Sequence, residues 1–299
     1  MERQNLFLAL LVCGLIFLAA GCAKSDRAAR PGESTLDRMV RTGAVKIGYA
    51  NEAPYAYMDR ETGRLTGEAP EIAREILGKM GVEQVEGVLT EFGSLIPALQ
   101  AKKIDVIAAG MYITAPRCKE IAFSNPTYGI GEAFIVKSGN PRGLHSYEDV
   151  ANNPEALLGV VAGTVERGYA RDIGVPDDQI TVFPDPPSAL AGVLAGRVDA
   201  FAGTSLTVQD LLMKAESDEL EQADPFEDPV IDGETIRGYG AFGFRKSDTQ
   251  LLEAFNKELA NFLGTPEHLE IVRPFGFTEE QLPGEVTARE LCLGSNERS

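Results

Sequence analysis

Short apolar runs and amphipathic stretches alternate along this chain. Residues 45–49 (VKIGY) and 104–109 (IDVIAA) are mostly apolar over a few positions, as expected of strands buried in a sheet. Between them Ile72, Ile76, Leu77 and Met80 share one helical face, Pro70 suits the opening turn and Gly81 the end, which predicts a helix over 70–81. Ser94 fits the cap of a second helix over 95–102. The alternation resumes with a strand-like run at 158–162 (LGVVA), a helix starting near Thr164, a strand at 238–244 (GYGAFGF) and an amphipathic helix over 251–263 (LLEAFNKELANFL). These elements predict an α/β protein with mainly parallel sheets.

One unit occurs twice. SLIPALQAKKIDVIAA starts at Ser94 and SALAGVLAGRVDAFAG at Ser188, so that Ser94, Ala101, Asp105 and Ala108 align with Ser188, Ala195, Asp199 and Ala202. A capped helix leading into a strand, in one register, predicts two similarly built lobes. The helix over 251–263 resembles a return to the first lobe, so two segments cross between the lobes and leave a cleft.

Composition narrows the partners. The 299 residues suffice for two modest domains, and 44% hydrophobic with 24% charged residues is ordinary for a globular protein. A formal charge of −17, with no basic stripe interleaved with aromatics, argues against nucleic acid. Nine acids with no base between them run from Glu216 to Glu234; a solvated face and loop accounts for them. Residues 6–20 (LFLALLVCGLIFLAA) fall short of the roughly 20 apolar positions of a spanning helix and suit the core of a signal peptide. Cys13 leaves with that leader. In an exported, oxidising setting Cys118 and Cys292 either pair as a disulfide clamping the carboxyl-terminal tail or remain two free thiols. His145 and His268 lie near no cysteine, which disfavours a metal site, and no cofactor is expected.

Three sets of residues carry resemblances to known proteins. LAAGC at 18–22 resembles a bacterial lipobox, with Ala19 where that pattern prefers leucine. It implies a leader over 1–21, diacylglycerol on the Cys22 thiol, a tether over 22–35 and a protein held to the outer side of a membrane. SLIPALQAKKIDVIAAGMYITAPRCKEIAFSNPTY, from Ser94, resembles the solute-binding proteins of bacterial ABC importers that take polar amino acids, a likeness running over 36–277. Within that group GYANEAPYAY, TGEAPEIA, GVLTEFGSLIPAL, AAGMYIT and FSNPTYGIGEAFIVKSGNPRGLHSYEDV resemble the ectoine and hydroxyectoine binders. In GEAPEIA, Ala69 and Pro70 replace an acid that the broader family usually carries. The resemblance implies a two-lobed type II periplasmic-binding fold with two hinge strands, near 133–136 and 239–242. Its first lobe would comprise 36–132 plus 241–292, its second 133–240, with a tail at 293–299. It further implies an extracytoplasmic monomer that captures a small zwitterionic ligand and delivers it, unchanged, to an ABC permease and its ATPase complex.

Ectoine joins a carboxylate to a ring bearing a delocalised amidinium charge, so its site must hold an anion and a cation and replace their lost hydration. By motif position Arg117 is the carboxylate partner, since a guanidinium can donate two parallel hydrogen bonds. Thr164, at a helix amino terminus, is the matching contact from the second lobe. Tyr55, Phe92 and Tyr112 form the expected cage for the cation, Glu52 is its counter-charge, and Asn51 and the Gly110 carbonyl share that polar rim. Thr204 stands where amino-acid binders of this family usually place an aspartate for the α-ammonium, which turns the expectation away from an ordinary amino acid. Two other readings stay open. One is a binder of a polar amino acid or another compatible solute; the other is a cyclohexadienyl dehydratase on the same fold, using Glu52 or Glu132 as acid or base.

Overall fold

The computed structural model describes residues 30–293. The apolar leader, Cys22 and most of the expected tether lie outside the described residues, as does the tail from 294 onward. Among the described residues no helix is long and apolar enough to cross a membrane.

Two large sheets form among the described residues, beside two small two-stranded ones, and the chain crosses between the large pair. The first has the order Gln84–Leu89, Ala44–Tyr49, Val106–Tyr112, Gly238–Phe244 and Ala122–Phe123, with Tyr128–Ile130 also paired to Gly238–Phe244. The second has the order Ile180–Phe183, Leu158–Val161, Ala200–Thr204, Glu132–Lys137 and Leu220–Gln222. In each sheet a parallel set of three strands is followed by an antiparallel neighbour contributed by a crossing segment. Passage to the second sheet occurs at Gly131, and the chain is back in the first by Gly238. Helices cover both sheets, giving the two-lobed α/β fold.

The repeated unit survives as a repeated set of bonds. Asp105 donates its backbone N–H to the Lys46 carbonyl (2.8 Å) and accepts the Lys46 N–H on Oδ2 (3.0 Å). Asp199 does the same with Leu157, at 2.7 and 2.9 Å. In both lobes a short acidic side chain thus stitches the entry of one strand to the start of its parallel neighbour.

Several predicted boundaries move for identifiable reasons. The helix expected over 70–81 spans Glu68–Lys79. It starts earlier because the loop before it takes up the first free amides: Glu68 N–H donates to the Pro54 carbonyl and Ala69 N–H to that of Tyr55. Ser94 does not cap the next helix; it sits in helical conformation at the end of a short 3₁₀ turn, Phe92–Ser94, that runs into Leu95–Gln100. The strand expected at 104–109 is Val106–Tyr112, because Asp105 is spent on the stitch. Within the acid run Asp228 is more than solvated surface: its carboxylate accepts the Glu132 N–H at 2.7 Å beside the crossing at Gly131.

At the amino end, Glu33 pairs with Arg41 and Ser34 caps the helix Thr35–Thr42, so the residues before that helix are tied to it. Cys118 and Cys292 are joined by a disulfide, which fixes the helix Ala288–Leu293 against Ala115–Glu120, the helix that carries Arg117.

Candidate functional site

A small cavity lies between the sheets. Glu52, Tyr55, Phe92, Gly110, Tyr112 and Arg117 line it from the first lobe, and Thr164, Val165, Glu166 and Thr204 from the second. The space between atoms is about 300 Å³, so the lobes are drawn close together. A larger recess shares none of these residues. It runs beside the helix Thr35–Thr42, and its charges are engaged with each other, as in Arg38–Asp105 and Arg245–Asp248.

Strand ends and the loops after them place the first-lobe residues. Tyr55 follows Ala44–Tyr49; its ring stacks on Tyr128 at 5.3 Å between centroids and lies directly against Gly110. A Cβ at position 110 would come within 2.6 Å of that ring, and φ there is +66°, so glycine satisfies both demands. The Gly110 carbonyl is engaged by the Tyr128 hydroxyl at 3.0 Å. Arg117 enters the cavity from the first turn after its Thr114 cap. Its Nη1 donates to the Tyr112 carbonyl (2.8 Å), and its guanidinium stands 5.4 Å from the Phe92 ring centroid. Phe92 therefore already faces a cation of the protein itself.

Two expected contacts sit differently. Thr164 lines the cavity but does not cap the following helix, which spans Glu166–Ile173; its hydroxyl turns back to the Val161 carbonyl at 2.9 Å and closes the turn after the strand. Asn51 is exposed and absent from the lining; its side-chain oxygen accepts the Met58 N–H at 2.9 Å.

The lobes bond to each other directly. Tyr55 and Thr204 share a hydrogen bond between hydroxyls at 2.7 Å, Thr204 donates to Thr207 at 3.0 Å, and Thr207 donates to Glu52 Oε1 at 2.8 Å. This chain starts and ends on the first lobe and passes through the second. Arg117 Nη2 adds a bond to the Gly163 carbonyl at 2.9 Å. Beside it Gly93 and Gly163 meet backbone to backbone, close enough that a Cβ on Gly163 would lie 2.5 Å from the Gly93 Cα.

Charge in the cleft is unbalanced. Arg117 is the cation of the lining, and burial lowers its pKa without threatening its charge. Glu52 and Glu166 line the same cavity, and Glu132 lies behind them. Although residue 52 keeps part of its surface exposed, its carboxyl is enclosed by the cleft. Burial pushes it up to about 7; the Thr207 bond opposes this and the Glu166 charge adds to it. Glu132 is raised well above the usual range by burial, then by Glu166 and Asp228, and Glu166 is raised by burial. Among the described residues no cluster of histidine, cysteine and acids is arranged to hold a metal.

Glu166, Val165, Thr207 and Tyr128 belong to this site although sequence reasoning did not single them out. For Glu166 the signal was available, an acid two residues past a Gly-Thr turn that ends a buried strand.

A cleft between two α/β lobes, joined by two crossings and lined with one cation, several acids and stacked rings, defines a two-lobed binding protein. The chain belongs to the bacterial extracellular solute-binding proteins, family 3, matching that family over residues 45–277. It is 38% identical over 265 residues to a probable amino-acid ABC transporter periplasmic-binding protein, y4tE, of Sinorhizobium fredii, covering 87% of each chain. To the histidine-binding periplasmic protein of Salmonella typhimurium it is 27% identical over 230 residues, covering 75% of this chain and 85% of that one. Among solved structures it resembles EhuB in complex with hydroxyectoine, with TM-score 0.78, 35% identity and coverage of 86% of this chain and 97% of that one. It also resembles an ancestral amino acid-binding protein, AncCDT-1, described as a precursor of cyclohexadienyl dehydratase, with TM-score 0.70, 28% identity and coverage of 81% and 99%. The protein is an extracytoplasmic solute-binding component of an ABC transporter, with a small ligand and a permease as its partners.

Proposed function

We propose that the chain captures ectoine or hydroxyectoine between its lobes and delivers it to the permease without chemical change. The reading rests on one observation: Arg117, Glu52 and the rings of Tyr55, Phe92 and Tyr112 line a single small cavity. A ligand carboxylate takes the remaining guanidinium hydrogens of Arg117, where charge-assisted bonds are strongest. The ring-borne cation lies between the aromatic faces, opposite Glu52. Thr204, an uncharged residue bonded to Tyr55, offers no counter-charge for an α-ammonium.

Capture works by hinge closure. A ligand touching both lobes stabilises the closed form by its difference in affinity for the two states. In this proposal 36–132 with 241–292 move against 133–240, Cys22 carries the lipid anchor, and the protein acts as a monomer. Resemblance to EhuB, whose structure holds hydroxyectoine, supports the ligand class.

Calorimetric titration with ectoine, hydroxyectoine, proline, glycine betaine and glutamine tests the reading. Saturable binding of the first two with little response to glutamine is expected; a preference for glutamine sinks it.

A further inference from the structure

Deep in the cleft is a group of polar atoms that the protein leaves unsatisfied. Taken as ionised carboxylates, both oxygens of Glu132 and Oε2 of Glu166 have no donor within reach, and the hydroxyls of Tyr112 and Tyr147 are buried without a hydrogen-bond partner. The residues are 5%, 4%, 4% and 0% exposed, respectively. Native proteins leave few such groups unpaired, and several together mark a place where something else supplies the bonds.

Tyr147 packs in the second lobe's core, but the other atoms belong with the cavity. Tyr112 and Glu166 line it. Glu132 stands directly opposite Thr204 in the antiparallel register, so the two side chains leave the same face of the sheet, and Thr204 lines the cavity too. The Glu132 and Glu166 carboxyls neighbour each other. Two carboxylates are both acceptors and can bond only through a shared proton; with one, the pair offers an O–H donor as well as free acceptor oxygens. Burial, mutual repulsion and the charges of Asp228 and Glu52 keep a proton on this pair, while the Arg117 charge favours ionised Glu166.

We infer that Glu132 and Glu166, with the Tyr112 hydroxyl, form a second receptor in the cleft for a hydroxyl group of the ligand, selecting hydroxyectoine over ectoine. This rests on the function proposed above. A hydroxyl both donates and accepts, as the proton-sharing pair does. A second ligand cation would face the neighbouring Arg117 charge, and a further carboxylate would meet acceptors. Lacking the hydroxyl, a ligand leaves the buried oxygens unpaired, which is how a polar site discriminates against a smaller analogue.

The experiment is titration calorimetry of both ligands against the unaltered chain and the variants Glu132→Leu, Glu132→Met and Tyr112→Phe, each checked for folding by circular dichroism. The unaltered chain is expected to bind hydroxyectoine at least about tenfold more tightly than ectoine, and the ratio should fall below about threefold in Glu132→Leu. If that variant does not fold, Glu132→Met carries the test, since it removes both donor and acceptor at nearly the original length and should also lower the ratio. Tyr112→Phe should lower it in part. Equal affinities in the unaltered chain, or a full preference surviving in a folded Glu132 variant, overturn the second receptor and leave the proposed function standing. Failure of both ligands to bind the unaltered chain overturns that function and this inference with it.

Discussion

Tyr55 and Thr204, 149 residues apart and on opposite lobes, meet through a 2.7 Å hydrogen bond between their hydroxyls. The bond continues through Thr207 to Glu52, so the two lobes are linked directly in this closed arrangement. Tyr55→Phe keeps the ring and removes this link. A hydrogen bond contributes a net of roughly 0.5–1.5 kcal/mol, so the open form should gain by about two- to tenfold. Small-angle scattering of the ligand-free variant should show a larger radius of gyration; an unchanged curve would mean that the bond does not hold the lobes.

Arg117 anchors three things at once: the Tyr112 carbonyl, the Gly163 carbonyl across the cleft and the face of Phe92. Arg117→Ala should weaken ligand binding by about a hundredfold or more, because the ligand carboxylate loses its charged partner. Circular dichroism should stay native. Unchanged affinity in calorimetry would remove Arg117 from the binding site.

Binding should release a proton in mildly acidic solution. Burial in the closed cleft pushes Glu52 up to about 7, and a cation held beside it favours the ionised form. Above that pH the carboxylate is already present and affinity is full. Below it the proton must leave first, so affinity should fall by about tenfold per pH unit. Titrations at pH 6 in buffers of different ionisation enthalpy should detect release approaching one proton, absent at pH 8 and absent in Glu52→Gln. A pH-independent affinity in the unaltered chain would contradict the counter-charge role.

Stability should decline as pH rises through a second window. Glu68 is 2% exposed, accepts a 2.7 Å bond from Thr127, and is raised by burial to about 8 from its ordinary 4.5. Between those values the folded protein binds more protons than the unfolded chain, so the protein is most stable below 4.5 on this account and bears the full cost above 8. Glu68→Gln preserves an acceptor for Thr127 and cannot ionise. Calorimetric melting should rise by several degrees at pH 8.5, about 2–5 kcal/mol of stability, and change little at pH 5. Equal shifts at both pH values would disprove the assignment.

Periodicity and the repeated register predicted two lobes because both are read from neighbouring positions in sequence, although the bonds that Asp105 and Asp199 repeat reach partners 59 and 42 residues away. Family position also named most of the residues that line the cavity. Contacts across the cleft were not legible, since Thr207 is an ordinary helical threonine until Glu52 is brought 2.8 Å from it. Glu166 carried a signal, its place just past the Gly-Thr turn, but an ambiguous one. An acid in a first helical turn is common on electrostatic grounds alone, and only the fold turns this one into the cavity. Ser94 shows the converse, a residue type suited to a cap whose backbone enters the helix through a 3₁₀ turn instead.

The contact between Gly93 and Gly163 sets how this protein gauges size. Side chains at a closing rim can rotate to accommodate a slightly bulkier cargo, but here main chain rests on main chain, and neither has a side chain to move. The jaws therefore close to a hard stop, like a caliper with metal faces. A solute too large for the cavity is then expected to hold the jaws apart rather than push a soft rim aside, so that discrimination by shape would show as a difference in outline set at Gly93 and Gly163.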